Sequence, residues 1–209
     1  MASDPLKSQI APVQAQAPTA AEDQARAGVY ALLGSLLRDV PGADLLRQVA
    51  LLEPATGRDG FALAWEGLRL SAASVEPGQV DDEYHRLFLG LGRGELVPYG
   101  SWYQTGFLME RPLGELRQDL QALGFERQDG VCEPEDHVAA LCEVMAQLAQ
   151  DPGSFILEQM AFYRAHLGPW INAFFADLDK AESAVFYKAL ARLGNAFFEL
   201  ENRYLEMDI

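Results

Sequence analysis

Apolar residues recur at helical spacing along most of the chain. Val29, Leu32, Leu33, Leu36 and Leu37 share one helix face, and Pro41-Gly42 then breaks the pattern. Leu45, Leu46, Val49 and Leu52 make the next stripe. Phe61, Ala64, Trp65, Leu68 and Ala72 make a third, closed by Glu76-Pro77-Gly78, and Val80, Tyr84, Leu87 and Phe88 a fourth. Leu113, Leu116, Leu120 and Leu123 follow, with Gly124 placed to end their helix. A further stripe runs through Val138, Leu141, Cys142 and Met145, and another through Ile156, Met160, Tyr163 and Leu167. Trp170, Ile171, Phe174, Phe175 and Leu178 predict a short helix, and Phe186, Leu190, Leu193, Phe197, Leu200 and Tyr204 a long one. No alternating strand pattern and no fixed-period repeat interrupts them. The pattern predicts an all-α fold, a helical bundle of about nine helices.

Two segments depart from it. Leu89 to Arg111 carries Gly90, Gly92, Gly94, Gly100 and Gly106 among Tyr99, Trp102, Tyr103 and Phe107. Water penalises exposing four large aromatics, so this loop is either a lid packed on the bundle or a binding surface. Gly124 to Glu133 is short and polar. The globular part therefore reads as one domain, 21–209, or as two lobes, 21–123 and 133–209, joined by a hinge. Residues 1–20 are rich in Ala, Pro and Gln and read as a flexible tail, without the basic start and apolar core of a secretory signal.

Composition narrows the function classes. Ala and Leu supply 60 residues, against 18 for Val, Ile and Thr, which again favours helix. The formal charge of −15 argues against a nucleic-acid surface and suits either solubility or a basic partner. No apolar run has the length of a membrane span, so no stable membrane insertion is expected. Cys132 and Cys142 make no disulfide framework, and a cytoplasmic location is expected.

The densest chemistry lies at Glu133-Pro134-Glu135-Asp136-His137. Proline is at home in a first helical turn, and acids there meet the positive end of the helix dipole, so the run predicts a helix opening near Pro134. Catalytic and metal readings find little support. A di-iron bundle needs two Glu-x-x-His pairs, whereas Asp82-x-x-His85 is the nearest match. Cys132, His137 and Cys142 lack zinc-site spacing, and Cys142 falls on an apolar stripe. Gly90 to Gly94 has neither the Lys-Ser/Thr nor the preceding strand of a P-loop. His166 is placed to close its helix, a structural role.

The motifs together resemble a known family. Glu133-Pro134-x-Asp136-His137, Tyr84-x-x-Leu87-Phe88-x-Gly90, Pro98-Tyr99-x-Ser101-x-Tyr103, His166-Leu167-x-Pro169-Trp170 and Phe186-Tyr187 are similar to the blocks of the TorD/DmsD family. These are assembly chaperones of molybdenum oxidoreductases, also called redox-enzyme maturation proteins. One departure is Gly100, where the family block often carries an acid. The resemblance implies a cytoplasmic, non-enzymatic chaperone. Such a chaperone binds the precursor of a molybdenum-cofactor oxidoreductase, through its twin-arginine signal peptide or its body, and delays export until the cofactor is inserted. It implies no cofactor, with guanine nucleotide allowed by resemblance alone, and either a monomer or a dimer. Tyr99, Trp102 and Tyr103 are then the expected apolar contacts, with Ser101 in the same block. Asp136 with Glu133 is expected to pair with arginine, His137 to hydrogen-bond, and Pro134 to fix the turn. Two alternatives stand beside this: assembly of a non-exported molybdoenzyme subunit, as in nitrate-reductase relatives, and a bundle enzyme using metal or nucleotide.

Overall fold

A computed structural model describes residues 20–90, 93–127, 130, 132–151 and 156–206. Residues 1–19 of the expected tail lie outside these, as do Gly92 of the glycine-rich loop and part of the expected hinge; Ala20 opens the first helix. Ten α-helices follow in order: α1 (Ala20–Arg38), α2 (Ala43–Ala50), α3 (Gly60–Ser74), α4 (Pro77–Tyr84), α5 (Gly100–Thr105), α6 (Arg111–Ala122), α7 (Val138–Gln150), α8 (Ile156–Phe162), α9 (Ile171–Lys180) and α10 (Phe186–Glu206). The fold is all-α, as the stripes predict. The tenth helix is α5, six residues inside the segment read as loop. Among the described residues the sheet-like pairing is a lone antiparallel bridge between Tyr99 and His137.

Helix ends follow local chemistry. Asp59 caps α3 by accepting the Ala62 N–H at 2.8 Å. Pro77 opens α4, where a missing N–H costs nothing. Gly124, at φ +80°, supplies the left-handed residue just past α6, as its position in the sequence predicts. Helices α4 and α8 each widen into a π-helical turn, His85–Leu89 and Tyr163–Leu167, which no stripe foretells.

Helices α1 and α7 form the most extensive pair, and α10 lies against α3 and α9. Gly34 permits the first contact, since a Cβ there would sit 3.2 Å from the Ala139 carbonyl. One continuous apolar cluster runs through the bundle, from Tyr30 and Leu33 to Phe174, Tyr187 and Phe198. Two buried carboxylates tie it together. Glu83 accepts the N–H groups of Val185, Phe186 and Tyr187 at the start of α10. Glu201 receives Arg26 and the Tyr30 hydroxyl. No described helix is long and apolar enough to cross a membrane.

Candidate functional site

The motif and the glycine-rich loop meet through their backbones. The Gly100 N–H donates to the Asp136 carbonyl and the Val138 N–H to the Pro98 carbonyl, each at 2.9 Å. This pairing holds residues 136 and 137 extended, so α7 begins at Val138 rather than near Pro134. The sequence reading, which opened the helix at Pro134, is corrected here. Local signals favoured a helix start at Pro134; a pairing with residues nearly forty positions upstream decided otherwise. His137 is the N-cap, and its Nδ1 accepts the Ala139 N–H at 3.2 Å.

The structure also gives Asp136 a different task from the arginine partner expected of it. Its side chain is buried, and Oδ2 accepts the Ser101 N–H at 2.8 Å. Asp136 thereby caps the short helix α5 from across the fold, while Oδ1 is buried without a protein partner. Ser101 is buried too, and its hydroxyl accepts the Met109 N–H at 3.2 Å. These two residues clamp the loop rather than face solvent. Gly100 belongs to the same clamp: a Cβ there would meet the Trp170 indole nitrogen at 3.0 Å, so the acid common in relatives has no room here.

The aromatics divide between lid and surface. Tyr103 stacks on Trp170 with ring centroids 5.5 Å apart and donates to Asp177 at 3.2 Å. Tyr99 packs edge-on against His137 at 5.1 Å, and its hydroxyl donates to Glu133. Trp102 is half-buried, with the Arg93 guanidinium 4.4 Å above its ring. Beyond α5 the loop turns outward. Phe107 and Met109 are 68% and 70% exposed and Leu108 is 48% exposed, side by side. Sequence reasoning named Phe107 but missed its two apolar neighbours.

Glu133, Pro134, Glu135 and His137 line a cleft of about 560 Å³ with residues of α1, α6 and α7. Three arginines enter it, none of them foreseen. Arg38, at the end of α1, grips Glu143 with two nitrogens. Arg117 of α6 lies 2.8 Å from Glu135. Arg127 reaches Glu135 at 3.7 Å and donates to the Glu133 carbonyl at 3.0 Å. Their positions in sequence, spread over α1, α6 and a loop, carry no signal of this convergence. A larger groove, about 890 Å³ and mainly apolar, opens between α1, α3 and α10, lined by Phe61, Trp65, Phe197 and Tyr204; no motif residue reaches it.

The cleft tunes its titratable groups. Burial raises the Glu133 carboxyl, and Asp136 adds to this against the pull of Arg38. Burial also pushes Glu135 up, but the hydrogen bond and charge of Arg117, with the charge of Arg127, hold it below the usual range. Burial and the Arg38 charge depress His137 to about 4. His137 is therefore neutral at pH 7, with Nδ1 as acceptor and Nε2 as the protonated nitrogen. Because the unfolded imidazole titrates near 6.5, its contribution is full above that pH and is lost as pH falls toward 4. Urea titrations at pH 7.5 and 4.5 are expected to show wild type losing about 2–3 kcal/mol more than His137→Asn, which keeps a cap acceptor without a proton to gain.

Comparison with known proteins bears on this site directly. The family model described as nitrate reductase delta subunit matches residues 56–176, which include the clamp and the motif. The chain belongs to this family. Among its relatives, the chaperone protein TorD of Vibrio cholerae serotype O1 is 30% identical over 130 residues, 57% of this chain and 59% of that one. The "Probable Tat proofreading chaperone DmsD" of Haemophilus influenzae is 31% identical over 126 residues, 58% of this chain and 61% of that one. The matches thus span about three-fifths of these relatives' length. They bear out the TorD/DmsD resemblance carried by the motifs. In fold, the chain is similar to an Archaeoglobus fulgidus structure described as a candidate redox enzyme maturation protein, with TM-score 0.57 and 20% identity over 83% of this chain and 93% of that one.

Proposed function

We propose that this protein is a cytoplasmic chaperone for the assembly of a molybdenum-cofactor oxidoreductase. It binds the twin-arginine signal peptide of the precursor and delays export until the cofactor is in place. It performs no catalytic step of its own. The observation that carries this reading is the joining of two surfaces in one clamp. On one side the motif lines a cleft with Glu133 and Glu135. On the other the loop presents half-buried Trp102 and exposed Phe107, Leu108 and Met109. A twin-arginine peptide has a basic start and an apolar middle, and the two surfaces offer one partner for each. The names of the relatives, TorD and a Tat proofreading DmsD, support the same class.

The test is capture of partners from cells that make molybdoenzymes, with the purified protein as bait and mass spectrometry of what it retains. The expected result is enrichment of one molybdoenzyme precursor carrying an Arg-Arg pair near its start. Enrichment only of a molybdoenzyme subunit without such a pair would favour the non-exported, nitrate-reductase type of client, a reading the family description supports. Trp102 supplies a second check. Its alanine variant is expected to bind a synthetic Arg-Arg peptide with an apolar stretch about 1–3 kcal/mol more weakly, as truncated interface aromatics do. Thermal stability should fall much less, because the ring is only half-buried. Unchanged affinity with a large loss of stability would mark Trp102 as lid packing.

A further inference from the structure

Glu135 is the motif acid that the sequence leaves without a role, yet the cleft is built around it. Its side chain is 18% exposed, whereas those of Arg117 and Arg127 are 51% and 40% exposed. The carboxylate is therefore fixed and largely dry, and the guanidinium groups on it are held from the wet side. Arg117 places Nε at 3.0 Å and its terminal nitrogen at 2.8 Å from the same oxygen of Glu135. Arg127 stands 3.7 Å from the other oxygen. A carboxylate so far removed from water is costly without a positive partner, so the folded protein supplies its own. Two guanidinium groups on one carboxylate are also what an Arg-Arg segment would bring.

We propose that Glu135 is the guanidinium receptor of the cleft, and that Arg117 and Arg127 occupy it until the arginines of a client displace them. This rests on the proposed function and deepens it. The exchange swaps one guanidinium for another, so the ion pair itself adds little net affinity. Discrimination falls to whatever follows the arginines, namely the apolar stretch that the loop beside Trp102 receives. A basic segment without that stretch is then a poor competitor for the resident arginines. The arrangement also keeps the cleft nearly balanced in charge although the chain carries −15.

The test removes a resident. Arg117→Ala, Arg111→Ala, Glu135→Gln and the double variant Arg117→Ala with Glu135→Gln are compared with wild type by calorimetry against the same synthetic Arg-Arg peptide. Arg111 is the control, because it lies on the same helix, pairs with Glu115 and does not line the cleft. Arg117→Ala is expected to bind about five-fold tighter, Arg111→Ala within about two-fold of wild type, and the double variant without the gain. Equal tightening by Arg111→Ala and Arg117→Ala would reduce the effect to net charge and overturn the proposal. Binding by wild type that Arg117→Ala leaves unchanged would overturn it while leaving the proposed function standing. Absence of binding by wild type and variants alike would overturn both.

Discussion

Replacing Glu83 by alanine is expected to destabilise the protein by about 3–5 kcal/mol, more than a typical core truncation of its size. The side chain comes from α4 and is 4% exposed. Its two oxygens accept the N–H groups of Val185 at 2.7 Å, Phe186 at 3.0 Å and Tyr187 at 2.7 Å. These are first-turn groups of α10 with no partner inside their own helix, and the carboxylate also faces the positive end of the helix dipole. Removal strands several donors in a buried place. It also loosens α10, which carries Leu190, Leu193, Phe197 and Phe198 of the core. Glu83→Gln keeps an acceptor oxygen and should cost roughly half as much. Urea denaturation followed by circular dichroism measures both. A loss below about 1 kcal/mol for the alanine variant would contradict the role given to this residue.

The second large effect is expected at Arg26. Its guanidinium reaches Glu201 at 2.5 Å, Asp23 at 2.6 Å and Gln159 at 2.9 Å, and lies 4.2 Å from the centre of the Tyr204 ring. It thus joins α1, α8 and α10 at one point. Arg26→Ala leaves Glu201, 1% exposed, as a buried charge without its cation, and should cost about 3–5 kcal/mol. The pair itself is a different matter. Changing Arg26 to Met and Glu201 to Leu together removes both charges, and most of the loss should be recovered, because desolvation of an ion pair cancels much of its attraction. Melting of the single and double variants decides this. A double variant as unstable as Arg26→Ala would show that the hydrogen bonds of the network, not its unpaired charge, carry the energy.

Most helices were legible because their apolar residues return every three or four positions and need no distant partner to be recognised. Leu113, Leu116 and Leu120 lie buried on α6 as the spacing predicts, and Cys142 is core. What was not legible depends on contacts far apart in sequence. Helix α5 is six residues with no stripe, and it forms where Asp136 caps it from across the fold. The start of α7 moved to Val138 because the backbone beside Asp136 pairs with Pro98 and Gly100. The motif was found from its residues, but the face that each residue presents was not. Asp136 turned inward to the loop, whereas Glu135 turned toward the cleft. Arg38, Arg117 and Arg127 meet there only because α1, α6 and α7 pack as they do. Sequence shows which acids exist; packing decides which of them stand in water.

The central claim is that the clamp reads a pair of arginines joined to an apolar stretch. It is tested most directly by calorimetric titration of the wild-type protein with two synthetic peptides. One carries Arg-Arg before an apolar stretch; the other is identical except that both arginines are glutamine. Each is measured at low and at high salt. The account predicts binding of the Arg-Arg peptide, weaker as salt rises because exposed charges are screened over about 10 Å at 0.1 M, and at least about ten-fold weaker binding of the glutamine peptide. Equal binding of the two peptides without salt dependence, or no binding of either, would contradict it.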